Sequence, residues 1–159
     1  MTNLNFETVL PVKDWRSLTY FEAASIQEDE VSAMLCEAIG YVSSFKWCTQ
    51  ILEKRIGFVL PGIAAIFLFE IDSKYDIDKW IWVVIGDLPS AYISPSFANT
   101  PCEALVSYVA EMRAWVEAVR NKKDLSGYIP VNALPTIENA NSLENRLNYL
   151  EKNVLPALI

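Results

Sequence analysis

The sequence predicts an α+β fold: a small antiparallel sheet of three to four strands packed by three or more helices, in a single domain over residues 1–159. Three observations predict it. The run Trp80-Ile-Trp-Val-Val-Ile85 is apolar at every position, as in a strand covered on both faces. Leu60-Pro61-Gly62-Ile63 separates two extended apolar runs, and Pro followed by Gly suits the central positions of a type II turn. The last third carries two apolar stripes at helical spacing.

Taken in order, Asn5 to Phe21 holds Trp15, Tyr20 and Phe21 without a clean period. It reads as a short strand or irregular arm leading into a helical turn. Ser25-Ile-Gln-Glu28 has capping-box spacing. Val31, Met34, Leu35, Ala38 and Val42 then predict a helix from about Gln27 to the region of Gly40, or a turn or two beyond. The runs Glu53 to Leu60 and Ile63 to Ile71 pair as a hairpin. A polar link, Asp72 to Asp78, leads to the strand Trp80 to Ile85, with a fourth strand around Ala91 to Ile93.

Thr100-Pro101-Cys102-Glu103 starts a helix, with Thr as cap, Pro at the first helical position and Glu at the third. Its stripe is Leu105, Tyr108, Val109, Met112, Trp115, Val116 and Val119, and Arg120, Lys122 and Lys123 suit its negative end. A loop from Asp124 to Pro135 leads to a final helix faced by Leu143, Leu147, Leu150 and Val154. Asn141-Ser-Leu-Glu144 reads as a second capping signal, and Pro156 as the helix end. No repeat or low-complexity linker divides the chain.

Composition bounds the function classes. Twenty acidic against thirteen basic residues give a net charge of −7 and a pI near 4.6. That balance argues against nucleic acid, whose phosphates need Lys and Arg, and suits a basic protein partner. Mean hydropathy is +0.19. The longest uncharged apolar stretch, Ile56 to Phe69, is broken by Pro61-Gly62 and too short for a bilayer. The first residues lack a signal-peptide pattern, so a cytoplasmic protein is expected. Cys36, Cys48 and Cys102 form no close pair and read as buried or half-buried thiols.

The chain has no histidine, which removes the commonest general base and zinc ligand. Its five glycines form no phosphate loop. No metal and no cofactor is expected. A carboxylate pair remains available for metal-assisted hydrolysis, with Asp87 at a strand end and Glu70 or Asp72 on the neighbouring strand as candidates. Against it, an Asp before Leu-Pro commonly accepts hydrogen bonds from its own turn amides. Asp72-x-x-x-Asp76-x-Asp78 lacks the glycine and glutamate of a calcium loop. Glu28-Asp29-Glu30 complements a helix N-terminus. Trp80 and Trp82 share one strand face, and burial beneath the helix carrying Trp115 suits them better than stacking on bases.

Trp82-Val-Val-Ile-Gly-Asp-Leu-Pro-Ser-Ala-Tyr92, the helix around Glu111 to Val119 and Ile129-Pro-Val-Asn132 carry a resemblance. Together they resemble a group of small bacterial proteins, some similar to immunity proteins of polymorphic and contact-dependent growth inhibition toxin systems. The resemblance implies a cytoplasmic protein, not an enzyme, that neutralises a cognate toxin domain by binding it. The alternatives are a metal-dependent hydrolase using Asp87 and Glu70, or a structural subunit of a larger assembly. For a basic partner, the sequence nominates Tyr75 ringed by Asp72, Asp76 and Asp78, extended by Glu28, Asp29 and Glu30.

Overall fold

The computed structural model describes residues 10–11, 28–74 and 79–158. Its centre is an antiparallel meander in chain order: β1 (Leu10–Pro11), β2 (Cys48–Leu60), β3 (Ala64–Ser73), β4 (Trp80–Gly86) and β5 (Ala91–Ile93). The four longer strands are those expected; the two-residue β1 is added at the outer edge of β2. Helix α1 (Glu28–Ser43) precedes β2. Helices α2 (Pro101–Arg120) and α3 (Ile137–Tyr149) follow the sheet, and a π turn (Leu150–Val154) leads into α4 (Leu155–Leu158).

Helices cover both faces. Ile66, Leu68, Trp82, Val84, Ala91 and Ile93 point to one side and pack with Leu105, Tyr108, Met112 and Trp115 of α2 and Leu143 and Leu147 of α3. Ala65, Phe67, Phe69, Ile81, Val83 and Ile85 point to the other, beneath Val31, Met34, Ala38 and Val42 of α1. Since strand residues alternate between faces, only a near-continuous apolar run serves both layers. That is why β3 and β4 lack the polar alternation of a half-exposed sheet. No polar or charged residue is among the buried residues described.

The turn between β2 and β3 forms as the sequence predicts: Ile63 N–H donates to Leu60 O at 3.0 Å, with Gly62 at φ +73°. Strand β2 departs from regularity at three places, between Cys48 and Gln50, Ile51 and Glu53, and Ile56 and Phe58. Such irregularities bend and twist a strand. Their consequence is visible in Trp47, which leads into the first residue of β2 yet packs its ring 5.2 Å from that of Tyr92 on β5. The bent strand has folded its start back over the sheet.

Helix α1 covers the expected span, while Ser25 of its capping box lies outside the described residues. Helix α2 starts as expected: Thr100 Oγ1 accepts from Glu103 N–H at 3.1 Å, and Glu103 Oε2 accepts from Asn99 N–H at 2.8 Å. The start of α3 differs. Its cap is Thr136, which accepts from Asn139 N–H at 3.1 Å. Asn141 and Glu144 lie inside the helix and accept instead from Arg120 of α2, at 2.8 Å and at 2.7 and 3.0 Å. Pro156 does not end the helix either. It has no N–H, and its ring would crowd the Lys152 carbonyl in an ordinary α-turn. The preceding π turn, closed by Leu155 N–H on Leu150 O, widens the spacing, and the chain keeps winding to buried Leu158.

Candidate binding surfaces

The Gly86 to Pro89 turn leaves β4 beside α3. Gly86 has φ +141°, and a Cβ there would meet the Ile63 carbonyl oxygen at 2.2 Å. Asp87 N–H donates to that same oxygen at 3.0 Å, and the Asp87 carbonyl accepts from Arg146 Nε at 2.8 Å. The carboxylate is 69% exposed, and its Oδ1 faces Arg146 Nη2 at 3.4 Å. It therefore does not cap its own turn amides as expected: the glycine conformation turns it outward, and Arg146 is the group it meets.

Two clefts flank this contact. One, of about 370 Å³, is lined by Ile63, Leu88, Tyr149 and Leu150 with Asp87 and Arg146. The other, of about 300 Å³, runs along Pro89, Trp115, Val131 and Leu143. Neither brings a second carboxylate to Asp87. Glu70 pairs with Trp80 across the sheet while Ala64 pairs with Gly86, so six strand residues, about 20 Å, separate the two carboxylate positions. Glu70 instead meets Lys79 Nζ at 3.0 Å. Among the described residues no three His, Cys, Asp or Glu side chains group as metal ligands.

Asp72 is exposed near the end of β3, level with Gln50 of β2. Tyr75, Asp76 and Asp78 lie outside the described residues. Glu28, Asp29 and exposed Glu30 open α1, whose far end, 16 residues on, leads into β2. Asp72 is level with the start of β2, whereas the Glu28 to Glu30 cluster opens the far end of the 16-residue α1, and no hydrogen bond or ion pair described joins them.

A cluster of aromatic residues gathers where α1 ends against β5. Phe45 stacks on Trp47 at 5.0 Å, Tyr41 meets Phe45 edge-on at 5.2 Å, and Tyr92 stands edge-on to Phe45 at 5.3 Å. Tyr41, Phe45 and Trp47 are half-buried, and Tyr92 is 39% exposed. Burial, and then the neighbouring Tyr92, push the Tyr41 phenol up to about 12. The available signal was Tyr92 alternating with Ala91 and Ile93, which face the opposite helices. Phe97, in the turn after β5, is 74% exposed.

Tyr108 shows the contrasting use of a tyrosine: buried in the core, its hydroxyl donates to the Pro89 carbonyl at 2.6 Å, and burial raises its pKa. Trp82 is buried with Trp115 as expected, its Nε1–H donating to Ala98 O at 2.9 Å. The thiols differ in setting. Cys48 and Cys102 are half-buried and their pKa values are raised by burial, whereas Cys36 is exposed, because its place on α1 faces away from the sheet. No described helix is long and apolar enough to cross a membrane. Comparison with protein-family models, curated proteins and solved structures finds no match to this chain.

Proposed function

We propose that this chain is an immunity-type protein that acts in the cytoplasm, binding a cognate toxin domain and neutralising it by stoichiometric contact rather than by catalysis. The observation that carries the reading is the aromatic cluster of Tyr41, Phe45, Trp47 and Tyr92, partly open to solvent on an acidic chain. Aromatic side chains dominate binding energy at protein interfaces, and a net charge of −7 speeds encounter with a basic domain. A nuclease toxin presents such a basic cleft to its own substrate, so one acidic inhibitor can both fill the cleft and exclude nucleic acid. The rival hydrolase needs Asp87 and Glu70 together, and the register of β3 with β4 holds them apart.

The test is to search the adjoining genes for a toxin-like reading frame and to co-express its product with this chain. Growth should be restored by the parent chain and restored less well when Tyr92→Ala and Trp47→Ala are combined. Equal protection by the double variant would remove the cluster from the interface.

A further inference from the structure

We infer that Phe97 and the outward face of α2 form a docking surface for a basic amphipathic segment of a partner protein. The inference rests on the binding role proposed above and adds a second contact surface, on the α2 side of the sheet and apart from the Tyr92 cluster. Phe97 is the most exposed of the large apolar residues described, at 74%, yet its backbone is held on every side. Its N–H donates to Ser94 O at 3.0 Å, and Ser107 Oγ donates to its carbonyl at 3.3 Å. The next residue, Ala98, donates to Pro95 O at 3.3 Å and accepts from the buried Trp82 indole. The turn cannot swing to bury the ring, so the ring is offered to solvent with little ordering left to lose on binding.

The Ser107 contact fastens this turn to α2. There Val106 is 51% exposed, and Ala110 follows one turn later, also exposed. Ala110 and Ala114, one turn apart and both exposed, are small enough to let a second helix approach closely. Glu103, Glu111 and Glu117 are exposed alongside. The two arginines of α2 reach mainly to α3 and the π turn, Arg113 to Glu151 and Asn148 and Arg120 to Glu144 and Asn141, with Arg120 also 3.5 Å from the Glu117 carboxylate. The outward face therefore mixes exposed Val106, Ala110 and Ala114 with the carboxylates of Glu103 and Glu117 between them and Glu111 at its edge. A second copy of the chain would set glutamate against glutamate. A helix with leucines on one flank and lysines or arginines on the other matches both features.

The experiment titrates the isotopically labelled chain with a synthetic amphipathic helical peptide of leucine and lysine, and with a matched peptide of leucine and glutamate. The expected result is saturable amide shifts over 94–98 and the outward positions of α2, with the lysine peptide alone. Phe97→Ala should weaken that binding by about tenfold without lowering the melting temperature, since the ring is exposed. Shifts centred elsewhere, an equal response to both peptides, or unchanged affinity of Phe97→Ala would overturn the inference. Toxin neutralisation in the face of such a failure would leave the binding role standing on another surface. Loss of neutralisation with the peptide result intact would count against the toxin role and in favour of the docking surface.

Discussion

At Gly86 two constraints coincide, a positive φ and a backbone neighbour with nowhere to go. The Cβ of an alanine would lie 2.2 Å from Ile63 O and 2.8 Å from Ala64 Cα, both backbone atoms where the turn enters β3. Gly86→Ala should therefore cost about 3 kcal/mol or more. Gly62→Ala, at φ +73° with open space around it, should cost only about 1 kcal/mol. Urea unfolding followed by circular dichroism reads both, and equal small shifts would contradict the close approach. The next residue inverts the expectation drawn from its sequence. Asp87 supplies its backbone to Arg146 at 2.8 Å and its carboxylate only at 3.4 Å in solvent. Asp87→Ala should change stability by less than about 0.5 kcal/mol. Arg146→Ala, which also loses the contacts to Ser142, should cost about 1–2 kcal/mol in the same denaturation experiment.

Helices α2 and α3 are tied by a two-pronged contact of Arg120 on Glu144, with Asn141 beside it. The Arg120 hydrogen bonds hold the Glu144 carboxyl below the usual glutamate range. A carboxyl depressed in the folded state stabilises it above the unfolded pKa, about 4.3, and loses that contribution as pH falls through the lower folded value. The melting temperatures of the parent and of Glu144→Gln should therefore differ at neutral pH and converge on acidification below about 4. A difference that persists at low pH would mean packing, not charge, joins the helices there. The same residues show what was legible in the sequence. Thr100-Pro101-Cys102-Glu103 could be read as a helix start because cap, proline and glutamate act locally. Asn141 to Glu144 copies that spacing, but its polar atoms serve a helix distant in the chain, and no local pattern distinguishes the two uses. Pro156 misleads similarly, since the π turn that accommodates it leaves no mark in residue type.

Across the molecule, a sheet covered on both faces was legible in Trp80 to Ile85, because only a strand inside two layers has no need of polar positions. The surface was not. Tyr41 comes to Tyr92 from α1, Phe45 from the turn after it and Trp47 from just before irregular β2, and Phe97 is exposed in a turn fastened to α2 through Ser107. Both depend on long-range geometry that residue type alone does not reveal. The acidic balance, by contrast, is a property of the whole chain and was plain from composition. The proposed role as a stoichiometric inhibitor joins that balance to those rings. Its most direct test is to titrate a toxin domain encoded in the adjoining genes with this chain and follow residual toxin activity against molar ratio. The expected result is a linear fall that reaches its floor at an equimolar ratio and does not deepen with time. Toxin activity that disappears progressively at a small fraction of one equivalent would reveal turnover, and activity unchanged by excess chain would show no binding; either would contradict the proposed role.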